Sequence, residues 1–336
     1  MEVITVNENL PVERLANPAN DAKSAKSKVH FSSNTHFIHS NTIEASYEHL
    51  EKDCIIPVFS KDNECTISHV EFIETAYEVA EHMFMGESLS YPAVRVSHPI
   101  KGRIPAAVSK PANQLLEHEK TIYYERMAFV MEIPNLKFRV GTNDLALTIG
   151  GVRAYNQENL YNRKSEEKFK VFIGFQNKVC CNLCISTDGF KSELKARTSQ
   201  ELGTGIFDMI KAFKAEKFME TLIKMPQTNI SEAQFAQLIG RMRMYSLMPA
   251  QMKEDIPKLL LTDNQISTVV RDYYADPNFK RNEDGSLSIW NLYNLLTESN
   301  KSSYIDTFLD RSVNALSLAS HLSDAISNNQ YSWYLN

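Results

Sequence analysis

Apolar and polar side chains alternate with a period of two through much of 121–188, which predicts an antiparallel meander of about five half-buried strands. The clearest stretch is 168–176. There Phe169, Val171, Ile173 and Phe175 fall on one face and Lys168, Lys170 and Gln176 on the other, with Phe172 the exception. Asparagine tolerates the positive φ of a tight turn, so Gln176-Asn177 reads as a hairpin turn. It would join that run to the next, where Val179, Cys181, Leu183 and Ile185 share a face. Upstream, Tyr123, Met127, Phe129, Met131 and Ile133 line one side of 121–133, against Tyr124, Arg126 and Glu132. Runs at 136–140 and 145–156 complete the set. Gly150-Gly151 within the latter points to a bulge or a close backbone approach.

Elsewhere the period changes to that of a helix. Ser68 and Glu71 form a capping box at the head of 68–85, with Phe72, Ile73, Ala76, Val79, Ala80 and Met83 as the stripe and Gly86 as the stop. A helix is predicted over 203–224, ended by Pro226. Ser231/Gln234 and Thr262/Gln265 cap two more, and after an Asp284-Gly285 turn further helices follow at 288–298 and 303–326. Residues 88–116 carry Pro92, Pro99, Pro105 and Pro111, which keep the segment extended and deny it helix. Residues 1–67 lack sustained periodicity and read as a polar, partly disordered lead-in, with one short strand at 54–59. The expected class is α+β: an antiparallel meander over 121–188 covered by a C-terminal helical half. Three regions follow: the lead-in 1–67, a sheet domain 68–197 with the arm 88–116, and a helical region 198–336.

Charge changes this picture more than composition does. The formal net charge of −5 is distributed as −9 over residues 1–94, +7 over 95–197 and −3 over 198–336. The arm has no Asp or Glu from 88 to 116 but carries Arg95, Lys101, Arg103 and Lys110. An extended, solely positive segment suits a phosphate backbone, because each neutralised phosphate releases counterions. The alternative is a loop that wraps the sheet and pairs with the acidic segment before it. On the open side of the sheet, Tyr124, Arg126, Arg139, Arg153, Tyr155, Lys168, Lys170 and Lys178 supply aromatic faces and cations, the two ingredients of sequence-tolerant single-strand binding. Those tyrosines could equally pack beneath the helices. Arg241 and Arg243 read as a solvated helix face, and 231–275 shows no tight turn of a helix-turn-helix reader.

No catalytic signature is present: the phosphate-cradling, dinucleotide, nucleophile-elbow and zinc-protease motifs are all absent. Cys180, Cys181 and Cys184 lack a second pair of ligands, so structural thiols are expected and no metal or cofactor. His30, His36 and His39 match no ligand spacing. Asp188 with Glu193-Leu194-Lys195 only loosely mimics a metal-dependent nuclease, since Ser192 stands where an apolar strand residue belongs. Five cysteines without an export signal at the N-terminus predict free thiols in a reducing cytoplasm. No apolar run approaches the ~18 residues of a membrane span.

Several motifs go beyond pattern. They are His98-Pro-Ile-Lys-Gly-Arg-Ile-Pro, Tyr124-Glu-Arg-Met-Ala-Phe, Leu147-Thr-Ile-Gly-Gly-Val-Arg-Ala-Tyr-Asn, Phe172-Ile-Gly-Phe, Val179-Cys-Cys-Asn-Leu-Cys and Ser186-Thr-Asp-Gly. Together they resemble a family of unknown function carried on conjugative and other mobile elements, over roughly 85–330. Trp290-Asn-Leu-Tyr-Asn-Leu-Leu-Thr adds a more distant likeness to the phage/plasmid-like protein family of unknown function, from which the second cysteine of Val179-Cys-Cys-Asn departs. Neither family lends catalytic residues. The resemblance implies life on a mobile element, where handling single-stranded DNA is a common task. The expectation is therefore a cytoplasmic, non-catalytic nucleic-acid-binding protein, with single-stranded DNA preferred and an annealing or recombination-accessory role in view. A protein-interaction factor, such as an inhibitor of host defence with a host protein as partner, is the alternative. An enzyme with an unrecognised site is a third.

Overall fold

In a computed structural model, which describes residues 36–54, 66–107, 109–157 and 166–336, the alternating stretch forms the centre of a seven-stranded sheet. Its members are β1 (Ile43–Glu44), β2 (Ala93–Val96), β5 (Arg126–Val140), β6 (Asn143–Ala154), β7 (Glu167–Asn177), β8 (Leu183–Cys184) and β9 (Phe190–Ala196). They run β1-β2-β5-β6-β7, antiparallel throughout, and β8 and β9 share the outer edge of β7 at Phe175–Gln176 and over 167–172. A separate ribbon pairs β3 (Pro99–Arg103) with β4 (Lys120–Tyr124), and β10 (Asn229–Ile230) pairs with β11 (Leu287–Ser288). The helices are α1 (Tyr47–Asp53), α2 (His69–Met83), α3 (Ser199–Ala212), α4 (Ala215–Lys224), α5 (Glu232–Leu247), α6 (Asp263–Ala275), α7 (Ile289–Asn300) and α8 (Ile305–Ser327). The class is α+β, as the pattern predicts, and residues His36–Asn336 make up one compact unit.

Alternation sorts the sheet into two faces, both largely covered. Met127, Phe129, Met131, Leu147, Ile149, Phe169, Val171 and Phe175 belong to the main core, where Phe72 of α2 meets Phe129 and Phe169 edge-on at centroid distances of 5.1 and 4.9 Å. On the other face Ala128, Val130, Val152 and Phe172 pack against Phe308 and Leu309 of α8 and against Phe37 and Ile38. Gly150 and Gly151 sit in unbroken register, so the close-approach reading is the correct one. A Cβ on Gly151 would collide with the Phe72 ring, and one on Gly150 would meet the Phe172 ring at 2.8 Å. The bulge falls instead between Ile133 and Lys137, where Pro134 has no N–H for the ladder.

Several expectations are corrected. The basic arm is not a free strap: β2 is ladder-bonded between β1 and β5, and β3 pairs with β4. The run 121–133 is two strands in two sheets, broken at Glu125. Beyond Asn177 the chain turns through Lys178–Cys180, with Cys181 at φ 59°, before a strand of only two residues. Val179 is therefore exposed and Cys180 buried, the reverse of the predicted facing. The helix predicted over 203–224 starts earlier, at the Thr198 cap, and breaks at Phe213-Lys214. The capping boxes at Ser68, Ser231 and Thr262 all form. Beyond its Cys54 bridge to Ile122, the strand expected over 54–59 lies outside the described residues, as does the head of the lead-in.

Two of the motifs quoted above lock together. Trp290 Nε1 donates to Asn143 Oδ1 at 2.7 Å, Asn177 Nδ2 to Asn294 Oδ1 at 3.1 Å, and Asn182 Nδ2 to the Asn294 carbonyl at 3.0 Å. The buried Lys301 ammonium donates to the Cys180 carbonyl and pairs with Glu298. The Cys-Cys-Asn turn and the Trp-Asn-Leu-Tyr-Asn helix are thus one polar joint between sheet and helices. Cys180 and Cys184 are buried, and burial pushes the Cys184 thiol up to about 12, which keeps it protonated and inert. Among the described residues no group of His, Cys, Asp or Glu is arranged to hold a metal ion, and no helix is long and apolar enough to cross a membrane.

Candidate functional site

The register of β7 and β9 shapes a cleft on one face of the sheet. Lys168 faces Lys195 as its direct partner across the two strands, and Val171 faces Lys191. Strand alternation puts Lys168 and Lys170 on the face shared by Phe172, away from the main core. A cleft of about 240 Å³ opens there, lined by Val152, Ala154, Lys168, Phe169, Lys170, Ser192 and Glu193. Arg126 is the cross-strand partner of Ala154, and Ala128, the partner of Val152, is flanked by Arg95. Four of the twelve residues singled out from sequence, Arg95, Arg126, Lys168 and Lys170, thus fall on or beside one cleft.

Their side chains differ in how much charge they have left to offer. Lys170 pairs with Asp310 and donates to the Asp306 carbonyl at 2.6 Å, so it is largely committed to α8. Arg95 is buried and donates to Thr42 Oγ1 and the Thr42 carbonyl, at 3.1 and 2.8 Å, which fastens β1 to β2. Arg126 lies 3.7 Å from Glu125, and its buried Nε has no hydrogen-bond partner among the described residues. Lys168 pairs with Glu193, both about half exposed; that hydrogen bond, helped by the two lysine charges, holds the Glu193 carboxyl below its usual range. Lys191 and Lys195 are exposed and enter no ion pair among the described residues.

The other eight lie elsewhere. Arg153, Tyr155 and Tyr124, expected on the open side, are buried instead. Arg153 lies under Phe169 and Tyr155 at 4.0 and 4.9 Å and pairs with Glu167, because its strand position points it into the main core. Tyr124 places its hydroxyl 2.9 Å from His49 Nε2. In the arm, Arg103 donates to the Lys110 carbonyl, Lys110 pairs with Glu119, and Lys101 is exposed. Arg139 pairs with Asp144 at 3.1 Å, and Lys178 with Glu132 at 2.5 Å. Glu119, Glu132, Asp144 and Glu167 belong to neighbouring strands and loops. Lys195, Ser192 and Glu193 were visible in sequence only as a poor nuclease mimic. Ser192 looked out of place as a strand residue because it faces the cleft.

A family model described as "Domain of unknown function, B. Theta Gene description (DUF3871)" matches residues 20–335. No curated protein matches the chain, and no solved structure does.

Proposed function

We propose, for a chain that belongs to this family of unknown function, a non-catalytic role in binding nucleic acid through the β7–β9 cleft, with single-stranded DNA of a mobile element as the preferred ligand. The observation that carries the reading is the facing pair Lys168 and Lys195. Like charges directly opposite across two strands destabilise a sheet unless something between them is negative. Lysines on an edge strand also deter unwanted strand addition, which accounts for Lys191 and Lys195 on β9. It does not account for Lys168, because β7 is an interior strand, whereas Lys170 is held by Asp310. Glu193 offsets part of the repulsion, and a phosphate beside the exposed Lys195 would offset more. The burial of Tyr124 and Tyr155 removes the base-stacking platform, so the contacts expected are to the backbone and insensitive to sequence. The resemblance to mobile-element proteins supports the choice of DNA.

The test is equilibrium binding of a labelled single-stranded oligonucleotide across a salt series. Binding is expected to weaken with rising salt, and the doubly reversed variant Lys168→Glu/Lys195→Glu to bind at least tenfold more weakly. Its logarithmic salt slope should fall by roughly one for each lysine lost. Unchanged affinity and slope in that variant, or no binding at low salt, contradicts the proposal.

A further inference from the structure

A second cleft, of about 340 Å³, lies between α1, α2 and the segment 89–92 that leads into β2. Ile73 is buried in its floor, and Tyr47, Tyr77, Tyr91, Glu74 and Glu78 form its walls, with no Lys, Arg or His in the lining. The Tyr47 and Tyr91 rings stand edge to face, 6.2 Å apart at 83°. Tyr91 is 68 % exposed although it is among the larger apolar side chains of the segment.

The charged residues that line the cleft are of one sign. Helix α2 contains no Lys or Arg, and Glu74 and Glu78 stand four residues apart on it, a like-charge spacing that costs an isolated helix stability. Neither carboxylate enters an ion pair among the described residues, nor do Glu48 and Glu51 of α1. Burial pushes the Tyr91 phenol up, and the charges of Glu48 and Glu51 push it further, so the field of α1 reaches the ring. Glu74 already accepts from the Tyr47 hydroxyl, which leaves the Glu78 carboxylate to receive a donor from outside.

Tyrosine faces beside unpaired carboxylates complement a planar cation. A guanidinium stacks on an aromatic ring and forks two N–H groups onto a carboxylate, whereas an ammonium uses only the point charge. We infer that this cleft receives an arginine side chain presented by a segment of a partner protein. The inference is independent of the nucleic-acid reading, since it uses other residues and a ligand of opposite charge.

The full chain would be titrated with acetyl-Gly-Gly-Arg-Gly-Gly-amide and with its lysine and citrulline counterparts, citrulline having the same shape without the charge. The arginine peptide should bind, with the citrulline peptide at least ~10-fold and the lysine peptide several-fold weaker. Tyr91→Ala and Glu78→Gln, both at exposed positions, should each weaken the arginine peptide by about fivefold. Equal binding of the three peptides, no binding of the arginine peptide, or undiminished binding by both variants would overturn the assignment.

Discussion

Glu167→Ala should lower the stability of the fold by about 3 kcal/mol, the low end of what removing one partner from a buried ion pair costs. Arg153 is fully buried beneath Phe169 and Tyr155, and Glu167 is its carboxylate partner. The same carboxylate accepts from Ile67 N at 3.1 Å, tying the chain just ahead of α2 to β7. Without it a guanidinium stays in the core with less counter-charge, and the entry to α2 loses an anchor. Glu193→Ala removes a carboxylate from Lys168, also by a direct contact, but both groups are about half exposed there. That change should cost only a small part of what Glu167→Ala costs, because water screens an exposed pair. Urea unfolding of the two variants checks the contrast, and equal losses would mean that burial does not set the strength of these pairs.

The second large effect is on acidification. His69 is buried, stacks on Tyr155 at 4.7 Å, and donates from Nε2 to the Tyr124 carbonyl at 2.8 Å. Burial, aided by the nearby Arg153 charge, outweighs that hydrogen bond and depresses its pKa from 6.5 to about 3. Above 6.5 the imidazole is neutral in both states and the fold loses nothing. As the pH falls below 6.5 the unfolded chain takes up a proton that the folded chain refuses until about 3, so stability declines across that window. The slope approaches about 1.4 kcal/mol per pH unit, or roughly 2 kcal/mol between pH 6.5 and 5. Glu167 works the other way: burial raises its carboxyl against the pull of Arg153, so the folded chain takes up that proton first and acidification favours folding there. Unfolding free energies measured at several pH values should show the decline in the native chain and a flatter profile in His69→Asn. A flat native profile would place the imidazole in contact with water.

What was legible in the sequence follows from how local each signal is. Ser68/Glu71, Ser231/Gln234 and Thr262/Gln265 are closed within one turn, so three helix starts could be read directly. The main-core faces of β5 and β7 were equally plain, because large apolar residues recur there at every second position, whereas burial on both faces blurs the alternation in β6. β2 and β3 were hidden by the prolines that flank or begin them. β9 was hidden by its composition, since an edge strand needs few apolar residues and exposes Lys191, Ser192, Glu193 and Lys195.

The site was less legible for a different reason. The positive middle third is real, but which cations remain available depends on partners far away in the chain. Lys170 is held by Asp310 across 140 positions, and Lys178 by Glu132 across 46. Arg153 looked like a surface residue because an arginine in a strand is usually solvated, yet the register with Phe169 turns it into the core. The facing of Lys168 and Lys195 is likewise a product of register, which no local pattern encodes.

The most direct test of the nucleic-acid reading is a footprint of lysine reactivity, taken by brief acetylation and mass spectrometry with and without a single-stranded oligonucleotide. Lys168 and Lys195 should be shielded by the oligonucleotide, while the exposed Lys101 and Lys137, away from the cleft, should keep their reactivity. Protection of Lys101 and Lys137 with Lys168 and Lys195 unchanged would contradict the account and move the nucleic-acid contact off the β7–β9 cleft.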